Sequence, residues 1–547
     1  MMKKAIKKLL AALLAVAMLC AMAVPAFAVS NTHTLTINGT TSGHTYEAYQ
    51  VFAGKLAENG VLSDITFGTG VDGAALLADT SLPSELRGKG SAAELASALV
   101  GKENDSDLLN EFAKVISTHL ATVTGISAGN GTTYTISGLA DGYYFIKDAT
   151  TVNLPNGATY SRYMLNIVAD ASIAAKDTSV TLTKEIKHNE SDTWGTVGDN
   201  QIGDTVYFRT ISTVPNTKGY SSYTYEIHDK MDSQITSNVV SGNTNNVVAI
   251  HIGTAEGTEL PSNYYTVTAT GNDFTITVDV KAAQEANLVS AGDKLYTTFS
   301  GVLNENALVA PTGHQDNKAW LKYSNNPNDT SSTGETPESV VHDWTFQINV
   351  TKVDGTTKAA LKGAQFVLSK NGNLKVADML GENDTLTNTT DLIKLVKSGD
   401  TYTIARTSTD TTFVMTTPEN GAISIKGLDD ATEYYLYEIV APSCYNSLTA
   451  PIKVFVTTRA DADYSEAGHT LSEVKVTVNG SVSDTSFNVE NNLGTTLPST
   501  GGMGTTLFYV VGGGPVGGAQ PLFCGGGGGL MVAAIVLLVT KKRMENK

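Results

Sequence analysis

The sequence predicts an all-β protein built of tandem sandwich domains, on three observations. In stretches such as "HTLTINGTTSGHTYEAYQVFAG", from His33, apolar and polar residues alternate. A period of two puts one set of side chains on one face, as in a half-buried strand. The composition, with 51 glycines among 547 residues and many Thr, Ser, Asn and Val, suits strands and turns better than helices. Finally, the alternating stretches recur at short intervals between turn residues, in three successive blocks. That spacing is expected of immunoglobulin-like β-sandwiches.

The first block, residues 29–177, opens with the strand–turn–strand at His33. Ser91 followed by Glu94 then forms a capping box. Leu108, Phe112, Val115 and Ile116 recur at helical spacing, so this domain is expected to carry a small helical insertion. Strands resume at "TTYTISGLADGYYFIKDA" and "YSRYMLNIVADASI". The second block, residues 178–342, opens with "TSVTLTKEIKHN". Its strands end at "NKAWLKYSNNPND", where Pro327 and a Ser/Thr/Gly/Pro-rich connector, residues 329–337, mark a boundary. The third, residues 343–493, runs from "DWTFQINVTKVDG" to "SFNVENNLG", with core strands in "GAQFVLSK", "GAISIKGL" and "EYYLYEIVAP". A faint internal repeat links the first and third: Gly138-Leu139 matches Gly427-Leu428, and Tyr143-Tyr144 matches Tyr434-Tyr435.

The two ends read as processing segments. Residues 1–28 have a lysine-rich start, an apolar run and Ala26-Phe27-Ala28, a small-residue cleavage site that places the mature start after Ala28. Residues 494–547 contain Leu497-Pro498-Ser499-Thr500-Gly501, an apolar segment and a basic end at Lys541, Lys542 and Arg543. The last apolar run, residues 530–539, is shorter than the roughly 20 residues of a membrane span. Without residues 515–528, which contain Pro515 and Pro521, the flanking apolar stretches would join into one of nearly that length. The net charge is −17, and removing two cationic ends makes the body more acidic still. Such a body suits a soluble extracellular polymer and argues against nucleic acid as a partner. Of three cysteines only Cys444 lies in the body, so no internal disulfide is available to the mature chain. The nine histidines are scattered, and no metal site and no cofactor are expected.

Strand parity singles out two sets of polar residues. In the third block Phe346, Ile348, Val350 and Lys352 share a face, as do Phe487, Val489 and Asn491, and Tyr434, Leu436 and Glu438. Three apolar neighbours put Lys352 in the interior, where an unpaired ammonium is costly. Burial lowers a lysine pKa and raises a carboxyl pKa. A neutral amine beside an asparagine amide and a protonated carboxyl can attack the amide carbonyl and expel ammonia, leaving an isopeptide bond. In the second block Val180, Leu182 and Lys184 share a face, as do Tyr225, Ile227 and Asp229, and Leu321, Tyr323 and Asn325. Each cross-link closes a loop of roughly 140 residues and, on the loop-entropy model, stabilises by about 5 kcal/mol. The first block lacks an opening-strand lysine and has Lys147 where the third has Glu438, so no cross-link is expected there.

"YYLYEIVAPSCYNSL" resembles the E-box of Gram-positive pilins, Y-x-L-x-E-T-x-A-P-x-G-Y. Tyr434, Leu436, Glu438, Ala441, Pro442 and Tyr445 match it, while Ile439 and Cys444 depart from its Thr and Gly. "KVDGTTKAALKGAQFVL" resembles the opening of a collagen-adhesin B-type (CnaB-like) domain with its buried lysine at Lys352. Leu497 to Gly501, with the apolar and basic segments after it, resembles the L-P-x-T-G sorting signal of surface proteins. Taken together, the chain resembles a major shaft pilin of SpaA type. The resemblance implies isopeptide bonds Lys184–Asn325, assisted by Asp229, and Lys352–Asn491, assisted by Glu438. It also implies cleavage between Thr500 and Gly501 by a sortase and a precursor held transiently in the membrane. Covalent joining to further copies of the chain and to peptidoglycan follows, giving a cell-wall-anchored fimbrium. Minor pilins and host surface ligands complete the implied partners. Shaft pilins attack with a lysine in a Y-P-K motif. At the matching position stands Lys176, after Ala174-Ala175 and eight residues before Lys184, with Lys187 the weaker candidate. No turnover on an external substrate is expected. The alternative is a monomeric wall-anchored adhesin of the same domain type.

Overall fold

The structure is a computed structural model, which describes residues 32–494 apart from loop positions 41, 58–59, 104–105, 151–153, 155, 177–178 and 189–192. The signal segment with Ala28 and the sorting signal with Leu497, Pro498, Ser499, Thr500 and Gly501 lie outside the described residues. Among the described residues no helix is long and apolar enough to cross a membrane.

The chain divides into two compact units. One runs to Ser179 and also takes in Asn216–Ser222 and Ser324–Gly334, while the rest of the chain forms the other. The architecture is all-β, as the alternation predicts. Among the strands of the first unit are β1 (Thr32–Asn38), β2 (Tyr46–Leu56), β3 (Thr133–Ala140), β4 (Gly142–Asp148), β5 (Arg162–Ile167) and β6 (Ala171–Ala174). One sheet contains β3, β1 and β6 in that order, and the other contains β2, β4 and β5. Leu35, Ile37, Tyr46, Tyr134, Ile136, Tyr144 and Ile146 fill the space between them.

The helical insertion comprises α1 (Ala92–Leu99) and α2 (Asp107–Ile116), preceded by a shorter helix, Gly73–Ala78. The Ser91 side chain accepts the Glu94 N–H, and Glu94 reaches back to the Gly90 N–H, so the predicted cap is present with its return bond displaced by one residue. Phe112, Val115 and Ile116 pack against Val51, Phe52 and Phe145 of the sheet, forming a second small core. Arg162 ties in the two distant segments. Its guanidinium donates to the carbonyls of Asn110, Gly219 and Pro327 and to Asn328 Oδ1 at 2.8–3.2 Å. Burial pushes Arg162 down to about 10.

The second unit contains β7 (Leu182–Lys187), β8 (Thr205–Thr213), β9 (Tyr225–Met231), β10 (Lys294–Leu303), β11 (Gln315–Ser324) and β12 (Ser339–Trp344). These are followed by β13 (Phe346–Asp354), β14 (Gln365–Ser369), β15 (Ala422–Leu428), β16 (Glu433–Val440) and β17 (Ser486–Asn491). Strands β7, β8 and β10 belong to one sheet, which faces a second containing β12, β11 and β9. The connector after Pro327 does not simply leave the second domain. Its "SVVHDW" alternation returns as β12, paired antiparallel with β11, and only Thr345 separates it from β13. In the third domain β15, β13 and β17 form one sheet, and β14 and β16 belong to the other.

One continuous hydrophobic cluster runs from Phe208, Ile227 and Leu321 through Trp344 to Phe346, Ile425 and Tyr434. Glu305 adds a polar clamp, its carboxylate accepting the N–H groups of Arg406, Thr407 and Ser408 at 2.6–3.2 Å. Gly427 adopts φ +95°, and a Cβ there would meet Ile202 at 2.5 Å. Its counterpart Gly138 also has positive φ, +80°. Both glycines lie at register shifts, one between β1 and β3 and the other between β13 and β15. The faint sequence repeat is thus an equivalent glycine bulge in two domains.

Candidate cross-link sites

In the third domain Phe346, Ile348 and Val350 point inward and are fully buried, and Lys352 continues that face at 0% exposure. Strand β17 runs parallel to β13, with Lys352 opposite Val489 and Asp354 opposite Asn491. This register sets Asn491 diagonally next to the lysine. Lys352 Nζ donates to the Val489 carbonyl at 3.1 Å and also to Asn491 Oδ1. Asn491 Nδ2 donates to both carboxylate oxygens of Glu438 at 3.0 Å. Glu438 Oε1 stands 3.5 Å from Lys352 Nζ, and its Oε2 also accepts the Leu448 N–H at 2.9 Å. Lysine, asparagine and glutamate therefore meet inside the sandwich. Burial lowers the Lys352 pKa against the opposing pull of Glu438.

This arrangement has the parts of an acyl transfer. The amine is hydrogen-bonded to the amide it would attack, and the carboxyl contacts the nitrogen that would leave. A new Nζ–Cγ bond would replace Cγ–Nδ2, a proton would pass from Nζ by way of Glu438 to Nδ2, and ammonia would depart.

In the second domain Lys184 is buried on β7, with its ammonium 4.5 Å from the Phe299 ring centroid and 5.1 Å from that of Phe208. It donates to Asp229 Oδ2. Burial pushes Asp229 up to about 6 despite the ammonium, and it lowers Lys184 despite the carboxylate. Asn325 is not at this site. It follows the end of β11, where its Oδ1 accepts the Ser332 hydroxyl at 2.7 Å. The strand register explains the miss. Strands β9 and β11 run antiparallel with Asp229 opposite Ala319 and Tyr225 opposite Tyr323, so residues beyond Tyr323 lead away from the carboxyl.

The asparagine diagonal to Asp229 is Asn317, opposite Met231 and fully buried. It lies near enough to hold the Asp229 pKa down slightly. Yet neither of its amide atoms, nor Asp229 Oδ1, makes a well-formed hydrogen bond. Asn317 shares the inward parity of Ala319, Leu321 and Tyr323, so the signal was present in the sequence at the opposite end of the strand.

Among the described residues of the first domain, the opening strand carries no such lysine. Leu35 and Ile37 are the inward residues of β1, and Lys147 is half-buried on β4. Its interior holds a different polar pair that the sequence reading missed: His44 Nδ1 lies 2.6 Å from Asp148 Oδ2, with both side chains fully buried.

The turn after β16 is left-handed at the position where the resembled sequence pattern carries glycine. Cys444 takes φ +74°, the left-handed region that favours glycine. Tyr445 donates to Asp354 Oδ2 at 2.8 Å, fastening the turn to the end of β13. Of the two variants Cys444→Gly and Cys444→Ala, only glycine relieves the backbone. The glycine variant is expected to be more stable than the alanine variant by about 1 kcal/mol in urea unfolding.

Lys176 lies just beyond β6. Its N–H donates to the Tyr163 hydroxyl at 2.9 Å, and its ammonium sits 5.3 Å from the Tyr163 ring centroid. It lines a groove of about 160 Å³ with Leu109, Asn110, Arg162 and Met164. Lys187, on β7, instead places its ammonium 5.9 Å from the Tyr207 ring. The histidines are less scattered in space than in sequence. His314, Asp316 and His342 bring potential ligand atoms within 4.8 Å of one another, and so do His342, Glu466 and His469.

With this geometry established, comparison places the third domain. Residues 346–470 match the SpaA prealbumin-like fold domain. The match takes in Lys352 and Glu438. The whole fold is similar to the T6 backbone pilin of serotype M6 Streptococcus pyogenes, described as a modular three-domain structure. That similarity has a TM-score of 0.51 at 15% identity, covering 86% of this chain and 100% of the other. Two further matches are the major pilin SpaD of Corynebacterium diphtheriae and the major pilin subunit BcpA of Bacillus cereus. SpaD is 16% identical, with a TM-score of 0.45 and coverage of 86% and 99%. BcpA is 14% identical, with a TM-score of 0.42 and coverage of 85% and 100%. No curated protein matches the chain by sequence.

Proposed function

We propose that this chain is the backbone subunit of a sortase-assembled pilus, a structural protein stiffened by two internal isopeptide bonds. The observation that carries the reading is the buried Lys352–Asn491–Glu438 set, which links the first and last strands of its domain. A covalent tie between those strands lets tension bypass the hydrogen-bonded ladder, a property a shaft needs. The second domain would be tied by Lys184 and Asn317, with Asp229 as the helper carboxyl. The likeness to a backbone pilin fold and the SpaA domain match support the same reading. Polymerisation would use cleavage after Thr500 and attack by Lys176 of another copy, leaving the polymer attached to peptidoglycan.

The test is an SDS-resistant ladder in wall extracts of expressing cells. Lys176→Ala is expected to abolish the ladder, reducing covalent polymer by more than tenfold, while Lys187→Ala preserves it. A ladder that survives Lys176→Ala moves the nucleophile elsewhere. Wild-type cells that carry the protein on their wall without any ladder would make it a monomeric adhesin instead.

A further inference from the structure

The loop entering β11 and the strand β12 bring three nitrogen and oxygen donors to one place. Asp316 and His342 are direct cross-strand partners, so the backbone ladder fixes their separation. His314 precedes Asp316 by two residues and therefore falls on the same face of the strand. Asp316 Oδ1 stands 2.7 Å from His342 Nδ1 and 3.1 Å from His314 Nε2. His314 Nδ1 is buried with no hydrogen bond. The rings are held from outside: Trp344 packs 4.7 Å from His314, and Tyr464 packs 5.2 Å from His342.

We propose that His314, Asp316 and His342 form a binding site for a zinc-type divalent cation. Two imidazoles and one carboxylate are a familiar ligand set for zinc, whereas calcium and magnesium prefer all-oxygen shells. Bonds of about 2.0–2.1 Å in a tetrahedron space the donors about 3.3 Å apart. The observed N–O separations are slightly shorter, as expected of hydrogen bonds that an ion would replace after a few tenths of an ångström of movement. Three ligands leave the fourth position for water. The Asp316 carboxylate favours a cation, on a chain whose net charge is −17.

The second trio shares His342 with Glu466 and His469. His342 is common to both trios, so the two compete for one cation. The inner trio is favoured because β11 and β12 fix two of its members, while Glu466 and His469 are exposed. His342 also lies 5.5 Å, centroid to centroid, from His469 of the third domain. An ion that immobilises His342 would therefore stiffen the junction of the second and third domains.

The test titrates the untagged full chain with ZnCl2 by calorimetry and with CoCl2 by visible absorption. The expected result is one saturating site per chain, with the intense d–d bands of four-coordinate cobalt. His314→Ala and the isosteric Asp316→Asn should each weaken zinc binding by at least tenfold, while His469→Ala leaves it within about threefold. A circular-dichroism melt of the metal-free variants checks that they fold. The proposal is overturned by the absence of saturable binding, by a stoichiometry of two, or by wild-type affinity in both His314→Ala and Asp316→Asn. Loss of binding on His469→Ala alone would assign the ion to the outer trio.

Discussion

Glu438→Ala is expected to leave the third domain without its cross-link. The intact mass of the purified chain should rise by one ammonia relative to wild type, after allowing for the substitution. Two separate losses then lower stability. The loop between Lys352 and Asn491, a separation of 139 residues, is no longer closed, which on the chain-entropy model costs about 5 kcal/mol. In addition, Lys352 remains in an apolar interior with only the Val489 carbonyl and Asn491 Oδ1 as partners, so its amine neutralises or forces local opening. For a domain of this size the entropic part alone lowers Tm by about 10–20 °C. Glu438→Gln separates the two effects. It keeps the volume and a hydrogen bond to Asn491 but cannot relay a proton, so it should show the same mass gain with a smaller drop in Tm. An unchanged mass in both variants would remove Glu438 from the chemistry.

The sequence made some features legible and hid others, for reasons of range. Alternation is a local property, and it correctly turned Lys352, Glu438 and Asn491 inward, because a period of two needs only neighbouring residues. The same parity turned Lys184 and Asp229 inward. Register is not local. Which residue of β11 lies beside Asp229 depends on how two strands far apart in sequence slide past each other, and parity leaves every second residue open. Asn325 and Asn317 satisfy parity equally, and only the pairing of Asp229 with Ala319 separates them. The histidine cluster was hidden for the same reason. His314, His342 and His469 lack any close ligand spacing, and they meet because β12 returns beside β11 and the His469 ring lies against that of His342. The left-handed turn at Cys444 went unforeseen because the bond from Tyr445 to Asp354, far away in sequence, holds a backbone shape that the cysteine side chain alone disfavours.

Asn317→Ala is the sharper of the two large predictions, because it sets the observed register against strand parity. The variant is expected to gain one ammonia in mass, allowing for the substitution, and to lose about 5 kcal/mol from closure of the Lys184–Asn317 loop. It leaves the Lys184–Asp229 ion pair in place, so no buried charge is orphaned and the loss measures the covalent tie itself. Asp229→Ala should show the same mass gain with a larger loss, since it strands the Lys184 ammonium between Phe208 and Phe299. Asn325→Ala should leave the mass deficit intact and cost about 1 kcal/mol, the worth of its bond from Ser332. Combining Asn317→Ala with Glu438→Ala should restore two ammonias, because the two sites share no residue. The opposite pattern, a gain of ammonia with Asn325→Ala and none with Asn317→Ala, would mean that β9 and β11 pair in another register when the bond forms.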